Sequence, residues 1–290
     1  MTDRRTILGV TAATVVSPFL AATPAFASDS PTTPGGDAND DGARRGRGPT
    51  TVFVAGDSTA ATWPASVIPK AGWGQALPAF LNQRTMAVNN QALSGASSKS
   101  FIEASRLDII FAAIRPGDFL VISFGHNDEK TDDRHTDPYT TYQQYLTLYI
   151  DGARRRGAHP VLVTPVERRR FDAAGHATAS HGDYPQAMRD LGTATRVPVI
   201  DLTALSMALW DKLGVEGTKN YFLWIAAGEN PNFPDGVADN THFQAHGAIE
   251  LARIVIRAAV QQHILPRRDT VRLCEPVPDT ALTWPVEVPA

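Results

Sequence analysis

Two kinds of hydrophobic pattern alternate along the chain. Short, nearly continuous apolar runs occupy residues 51–55, 86–90, 119–124, 160–164 and 197–201, and they are rich in Val, Ile and Phe. Runs of that length and composition read as strands buried on both faces. Between them lie longer stretches in which apolar residues recur every three or four positions, at 73–81, 99–114, 140–156, 184–195, 202–213 and 243–263. That period predicts helices with one face in the core. Strands taking turns with helices point to an α/β fold: three layers around a central parallel sheet of about five strands. No internal repeat is visible. Residues 214–241 carry few helical signals and read as one long loop, a length that usually marks a functional segment. Ligands of such sheets bind outside the carboxyl ends of the strands, so the residues following each strand come first in a search for chemistry.

The two ends change the picture of domain organisation. Arg4 and Arg5 precede an apolar run at 7–22 and an Ala25-Phe26-Ala27 segment. This order reads as a signal peptide over 1–27, and the paired arginines suggest the twin-arginine route. Residues 28–49 hold no aromatic, Val, Ile, Leu or Met and are expected to form a disordered linker. One domain is therefore expected over 50–290, with its core at about 51–264 and an extension at 265–290. The expected location is extracellular.

Composition narrows the function. With 27 Lys+Arg against 30 Asp+Glu, the formal net charge of −3 gives no electrostatic case for nucleic acid. Nor does it favour a membrane surface once the signal is removed. Cys274, the one cysteine of the chain, excludes an intrachain disulfide and a cysteine-rich metal site.

Four short blocks follow the strands or precede the last helix. They are Gly56-Asp57-Ser58-Thr59, the loop from Asn90 to Gly95, Gly125-His126-Asn127-Asp128, and Asp239-Asn240-Thr241-His242. A serine hydroxyl is a weak nucleophile unless a base takes its proton during attack. Ser58 fits the nucleophile, and His242 fits the base because imidazole titrates near neutrality. Asp239, three residues before His242, can reach the far ring nitrogen and fix the tautomer. The backbone N–H groups of Ser58 and Gly95, with the Asn127 amide, would form an oxyanion hole.

These blocks resemble the SGNH (GDSL-type) hydrolase superfamily, whose four name-giving residues match Ser58, Gly95, Asn127 and His242. Within it the chain looks most like the rhamnogalacturonan acetylesterase family. Residues 54–59, Gly72-Trp73-Gly74, the 90–95 block, 124–128, Thr164-Pro165-Val166, 168–171, 181–185 and Asp239-x-x-His242 carry that similarity. The resemblance implies a flavodoxin-like three-layer fold and removal of O-acetyl groups from pectin, with no metal or other cofactor. It departs at Ala96, where fungal relatives carry Arg, a difference that bears on sugar contacts. Gly56-Asp57-Ser58-Thr59-Ala60 also lacks the last glycine of the G-x-S-x-G elbow, which argues against an α/β-hydrolase.

An acetylated polysaccharide is the expected partner. Arg168 and Arg170, after the fourth strand, are candidates to attract its carboxylates. Trp224 is the first choice for a sugar platform, with Trp63 and Tyr221 behind it and Trp73 read as core. His126, Asp128, Asp132, Asp133, His135 and Asp137 crowd one loop, but their spacing matches no metal site. His126 and Asp128 are expected to be structural. Two other functions stay open from sequence: an esterase acting on acetylxylan or another ester, and a non-catalytic glycan-binding module.

Overall fold

The computed structural model describes residues 48–286. The expected signal peptide and nearly all of the expected linker lie outside that range. Five parallel strands form the central sheet: β1 (Thr50–Gly56), β3 (Met86–Asn90), β4 (Phe119–Ser123), β5 (His159–Val163) and β6 (Val199–Ile200). Their spatial order is β3-β1-β4-β5-β6. The chain leaves β1 for one side and returns on the other, so the order reverses beside β1. That switch point is where open α/β sheets hold ligands.

Strand alternation supplies two cores. Val52, Val54, Val121, Val161 and Val163 point to one face, while Phe53, Ala55, Leu120, Ile122 and Leu162 point to the other. On the second face lie α2 (Ser98–Glu103), α3 (Arg106–Ala113), α4 (Gln143–Arg155) and α5 (Tyr184–Thr195). The first face is covered by the short α1 (Trp73–Ala76), by α6 (Leu202–Gly217) and by α7 (Ala245–Gln261). Both faces of every central strand are thereby covered, which is why those strands are apolar throughout.

The structure departs from the sequence reading in four places. The helix expected over 99–114 is two helices, because Ser105 adopts a left-handed φ of 55° between them. The stretch 73–81 is α1 followed by a 3₁₀ turn at Leu77–Phe80, where Pro78 withholds an amide hydrogen. Residues 214–241 are not a loop. They finish α6 and then form β7 (Phe222–Ile225) and most of β8 (Val237–Gln244), which with β2 (Lys70–Ala71) make a second, antiparallel sheet. Residues 265–286 of the expected extension, finally, are part of the fold. Leu273, Val277 and Leu282 are buried in the first core, and the Arg253 guanidinium holds the carbonyls of Arg272, Leu273 and Glu275.

Candidate active site

Ser58 sits on a turn immediately past β1. The Asp57 carboxylate shapes this turn by accepting from Thr59 N (2.9 Å) and Thr59 Oγ1 (2.7 Å). Behind it, backbone packs on backbone. A Cβ added at Gly72 would lie 2.3 Å from the Ala61 carbonyl oxygen, and one at Gly74 would lie 2.4 Å from that of Ala60. The Gly72-Trp73-Gly74 block is therefore needed for close approach to the nucleophile turn, with Trp73 fully buried as expected. Asp57 itself is buried beside His126, Oδ2 to Nδ1 3.3 Å, and the pair is too poorly aligned for a hydrogen bond. Burial pushes the Asp57 carboxyl up, yet His126 and Thr59 together hold it below its ordinary value. Burial, with neighbouring His181, lowers the His126 pKa to about 4.

His242 Nε2 lies 2.9 Å from Ser58 Oγ, and Nδ1 lies 2.7 Å from Asp239 Oδ2. Both His242 and Asp239 belong to β8, where adjacent side chains ordinarily point to opposite faces. Their contact comes from a break in register. Phe222 pairs with Phe243 and Trp224 with Ala238, so a two-residue step on β7 faces a five-residue step on β8. The extra residues bulge outward, and a bulge re-aims side chains next to functional sites. Inside the bulge, Asp239 Oδ1 accepts from Thr241 N (2.8 Å) and His242 N (3.0 Å). Burial pushes the Asp239 carboxyl up, but the hydrogen bonds and charge of His242 outweigh it and hold the pKa at about 2.

Gly95 and Asn127 lie in the loops that follow β3 and β4. Gly95 has φ +80°, a left-handed geometry that favours glycine. The backbone N–H groups of Ser58 and Gly95 have no acceptor among the described residues. Asn127 Nδ2 donates to Ala96 O at 2.9 Å, which leaves its second hydrogen uncommitted. Next to it, Asp128 accepts from Ser98 N (3.1 Å), Ser98 Oγ (2.5 Å) and Thr136 Oγ1 (3.0 Å), tying the Gly95 loop and the start of α2 to the Asn127 loop. Burial raises the Asp128 pKa to about 7 despite these donors. A hydroxyl hydrogen-bonded to an imidazole, that imidazole hydrogen-bonded to a carboxylate, and uncommitted donors at Ser58, Gly95 and Asn127 are the set that acyl transfer needs.

The model of the GDSL-like lipase/acylhydrolase family matches residues 54–248. The chain belongs to this family. The match spans the central sheet and all four blocks of the site. A rhamnogalacturonan acetylesterase of Bacillus subtilis (strain 168), RhgT, is 47% identical over 221 residues, covering 76% of this chain and 94% of that protein. A probable rhamnogalacturonan acetylesterase of the same organism, YesY, is 37% identical over 222 residues, 76% of this chain and 96% of that one. Among solved structures, the crystal structure of the Bacillus subtilis YxiM protein superposes with a TM-score of 0.65 at 28% identity. That alignment covers 74% of this chain and 57% of the YxiM chain.

Around this GDSL-family core, the residues expected to meet substrate behave differently from one another. Arg168 is not a free cation. Its guanidinium pairs with Glu129 (2.5 Å) and donates to the carbonyls of Ser180 and His126, so it braces loops behind the site. Arg170 is exposed, and its side chain has no partner among the described residues. Trp224 is committed elsewhere: its indole N–H donates to Asn240 Oδ1 (3.0 Å), while Arg169 and Lys219 sit over the ring at 4.5 and 4.9 Å. It clamps the bulge and has little face left for a sugar. Tyr221 packs between Trp210 and His246. The acidic loop gathers no group of three or more ligating side chains among the described residues. Asp132 instead pairs with Arg134 at 2.6 Å.

Two residues at the site escaped the sequence reading. Arg134 Nη1 reaches Gly95 O (3.3 Å) and Asn127 Oδ1 (3.4 Å), placing a guanidinium against both loops. Lys70, two residues before Gly72, lies on β2 next to β8. Trp63 joins them more closely than a remote platform would: its N–H donates to Ser58 O (3.1 Å), and its ring meets the His242 ring edge-on at 5.7 Å.

Proposed function

We propose that the protein is an exported serine carboxylic ester hydrolase that removes O-acetyl groups from plant cell-wall pectin, rhamnogalacturonan in particular. The observation that carries the reading is the continuous hydrogen-bonded line from Ser58 Oγ through His242 to Asp239, together with uncommitted donors at Ser58, Gly95 and Asn127. Ser58 Oγ attacks the acetyl carbonyl carbon as His242 Nε2 takes the hydroxyl proton. The carbonyl oxygen becomes an oxyanion held by Ser58 N–H, Gly95 N–H and the Asn127 amide, where one such donor is worth about 10²–10³ in rate. Collapse breaks the ester C–O bond, and the imidazolium returns its proton to the sugar oxygen. A water, deprotonated by His242, then attacks the acetyl-enzyme; the bond to Ser58 Oγ breaks, the imidazolium returns its proton to that oxygen, and acetate leaves. Asp239 stabilises the imidazolium in both halves.

The polymer rests on similarity to proteins named as rhamnogalacturonan acetylesterases, and export on the amino-terminal pattern. Acetate release from acetylated rhamnogalacturonan, acetylxylan and homogalacturonan, compared side by side, tests the substrate. Rhamnogalacturonan should be fastest, and equal rates on all three would remove the pectin assignment while leaving the esterase. Ser58→Ala should abolish hydrolysis of p-nitrophenyl acetate; full retained activity would exclude the whole mechanism, and inactivity of the wild type would favour a binding module.

A further inference from the structure

The Lys70 side chain is half-buried, with Nζ 3.7 Å from the centroid of the Trp63 ring. Trp63 in turn is fixed to Ser58 by its N–H and lies edge-on to His242, so the ammonium stands one ring away from the nucleophile and its base. It makes no hydrogen bond or ion pair with any described residue. The acidic group it feels is Asp239, whose carboxylate is already engaged by His242 and by two backbone N–H groups. A partly desolvated cation with unfilled donors is costly to hold unless a ligand completes it. Its backbone is well anchored: β2 pairs Lys70 with Gln244, and the Trp284 indole donates to the Lys70 carbonyl at 2.9 Å. The charge is thus presented from a fixed strand rather than a loose loop.

We propose that Lys70, seated on Trp63, is the binding site for the carboxylate of a uronic acid residue of the acetylated sugar chain. The inference deepens the acetylesterase reading and rests on it for the identity of that sugar chain. It adds an anion site to those the sequence offers. Arg168, one of the two cations the sequence offers, is neutralised by Glu129, whereas Lys70 makes no ion pair and sits on the ring that contacts Ser58 and His242. Burial draws the Lys70 pKa down while Asp239 pulls it up, and an arriving carboxylate would favour the charged form further.

Direct calorimetric binding tests this without relying on turnover. The probes are a non-acetylated rhamnogalacturonan tetrasaccharide with free carboxylates and the same tetrasaccharide methyl-esterified. Wild type should bind the free acid about tenfold more tightly, roughly what one partly desolvated charge pair contributes. Lys70→Met should lose that preference, and Lys70→Arg, which keeps the charge, should retain most of it. The ratio is taken within each protein, so a general loss of affinity cancels. A preference that survives in Lys70→Met, or is absent in wild type, overturns the proposal. Acetate release from the acetylated polymer, measured in parallel, reports on the pectin reading separately: a wild type that shows the Lys70-dependent preference but releases no acetate would overturn that reading and leave the carboxylate site standing.

Discussion

Asp239 has three acceptor tasks within four residues of chain: the His242 ring and the backbone N–H groups of Thr241 and His242. The low pKa that results keeps it ionised across the working range of any esterase, so its charge is constant while His242 changes state. Asp239→Asn tests whether orientation or charge matters more. An amide can still accept the two backbone hydrogens through its oxygen, but it then presents NH₂ to His242 Nδ1 and favours the wrong tautomer. We expect kcat on p-nitrophenyl acetate to fall about 10³–10⁴-fold with little change in thermal unfolding. A loss below tenfold would mean that His242 is oriented by something other than Asp239. Arg134 acts at the same scale on the Asn127 loop. It reaches the amide oxygen of Asn127 while Ala96 O takes one amide hydrogen, so the orientation of that amide is fixed from both ends.

Among the elements, β8 carries the most function and was the least visible in sequence. Its residues are Val237-Ala238-Asp239-Asn240-Thr241-His242-Phe243-Gln244, and the polar ones follow neither period 2 nor period 3.6 because the bulge interrupts the pleat. The five central strands were legible because burial on both faces makes them continuously apolar. Ser58, Asn127 and His242 were legible because each stands in a short block of the right residue types. Lys70 and Arg134 were not, since each reaches the site from an element whose placement only the tertiary fold decides. Asn240 shows how the bulge is held. Its side-chain oxygen accepts from the Trp224 indole and from Arg169, and its carbonyl accepts from Arg169 N. Asn240→Ala should loosen the bulge and shift His242 from Ser58, lowering kcat about tenfold or more with KM little altered. Unchanged kcat would show that the bulge keeps its shape without the Trp224 clamp, and Trp224→Phe, which removes only the N–H, should reproduce the defect in milder form.

At the scale of the whole molecule, two buried ionisable groups behind the site act on stability in opposite directions. His126 is 3% exposed and its pKa falls from 6.5 to about 4 on folding. Between those values the unfolded chain binds the extra proton, so this group's contribution is complete above pH 6.5 and is lost as pH falls toward 4. Asp128 is fully buried and its pKa rises from 3.8 to about 7. Here the folded protein binds the extra proton, so the contribution is complete below pH 3.8 and is lost as pH rises toward 7. The windows overlap between about pH 4 and 6.5, where the two slopes cancel and leave stability nearly level with respect to this pair. Asp128→Asn removes one side of the balance while keeping a polar group for Ser98 and Thr136. Its unfolding free energy, measured by urea titration from pH 5 to 6, should then rise about 1 kcal/mol more steeply with pH than that of the wild type. The comparison is of slopes, so a constant loss of stability in the variant does not affect it. Parallel slopes for the two proteins would mean that Asp128 is ionised in the folded state throughout this range and that its hydrogen bonds from Ser98 and Thr136 outweigh burial.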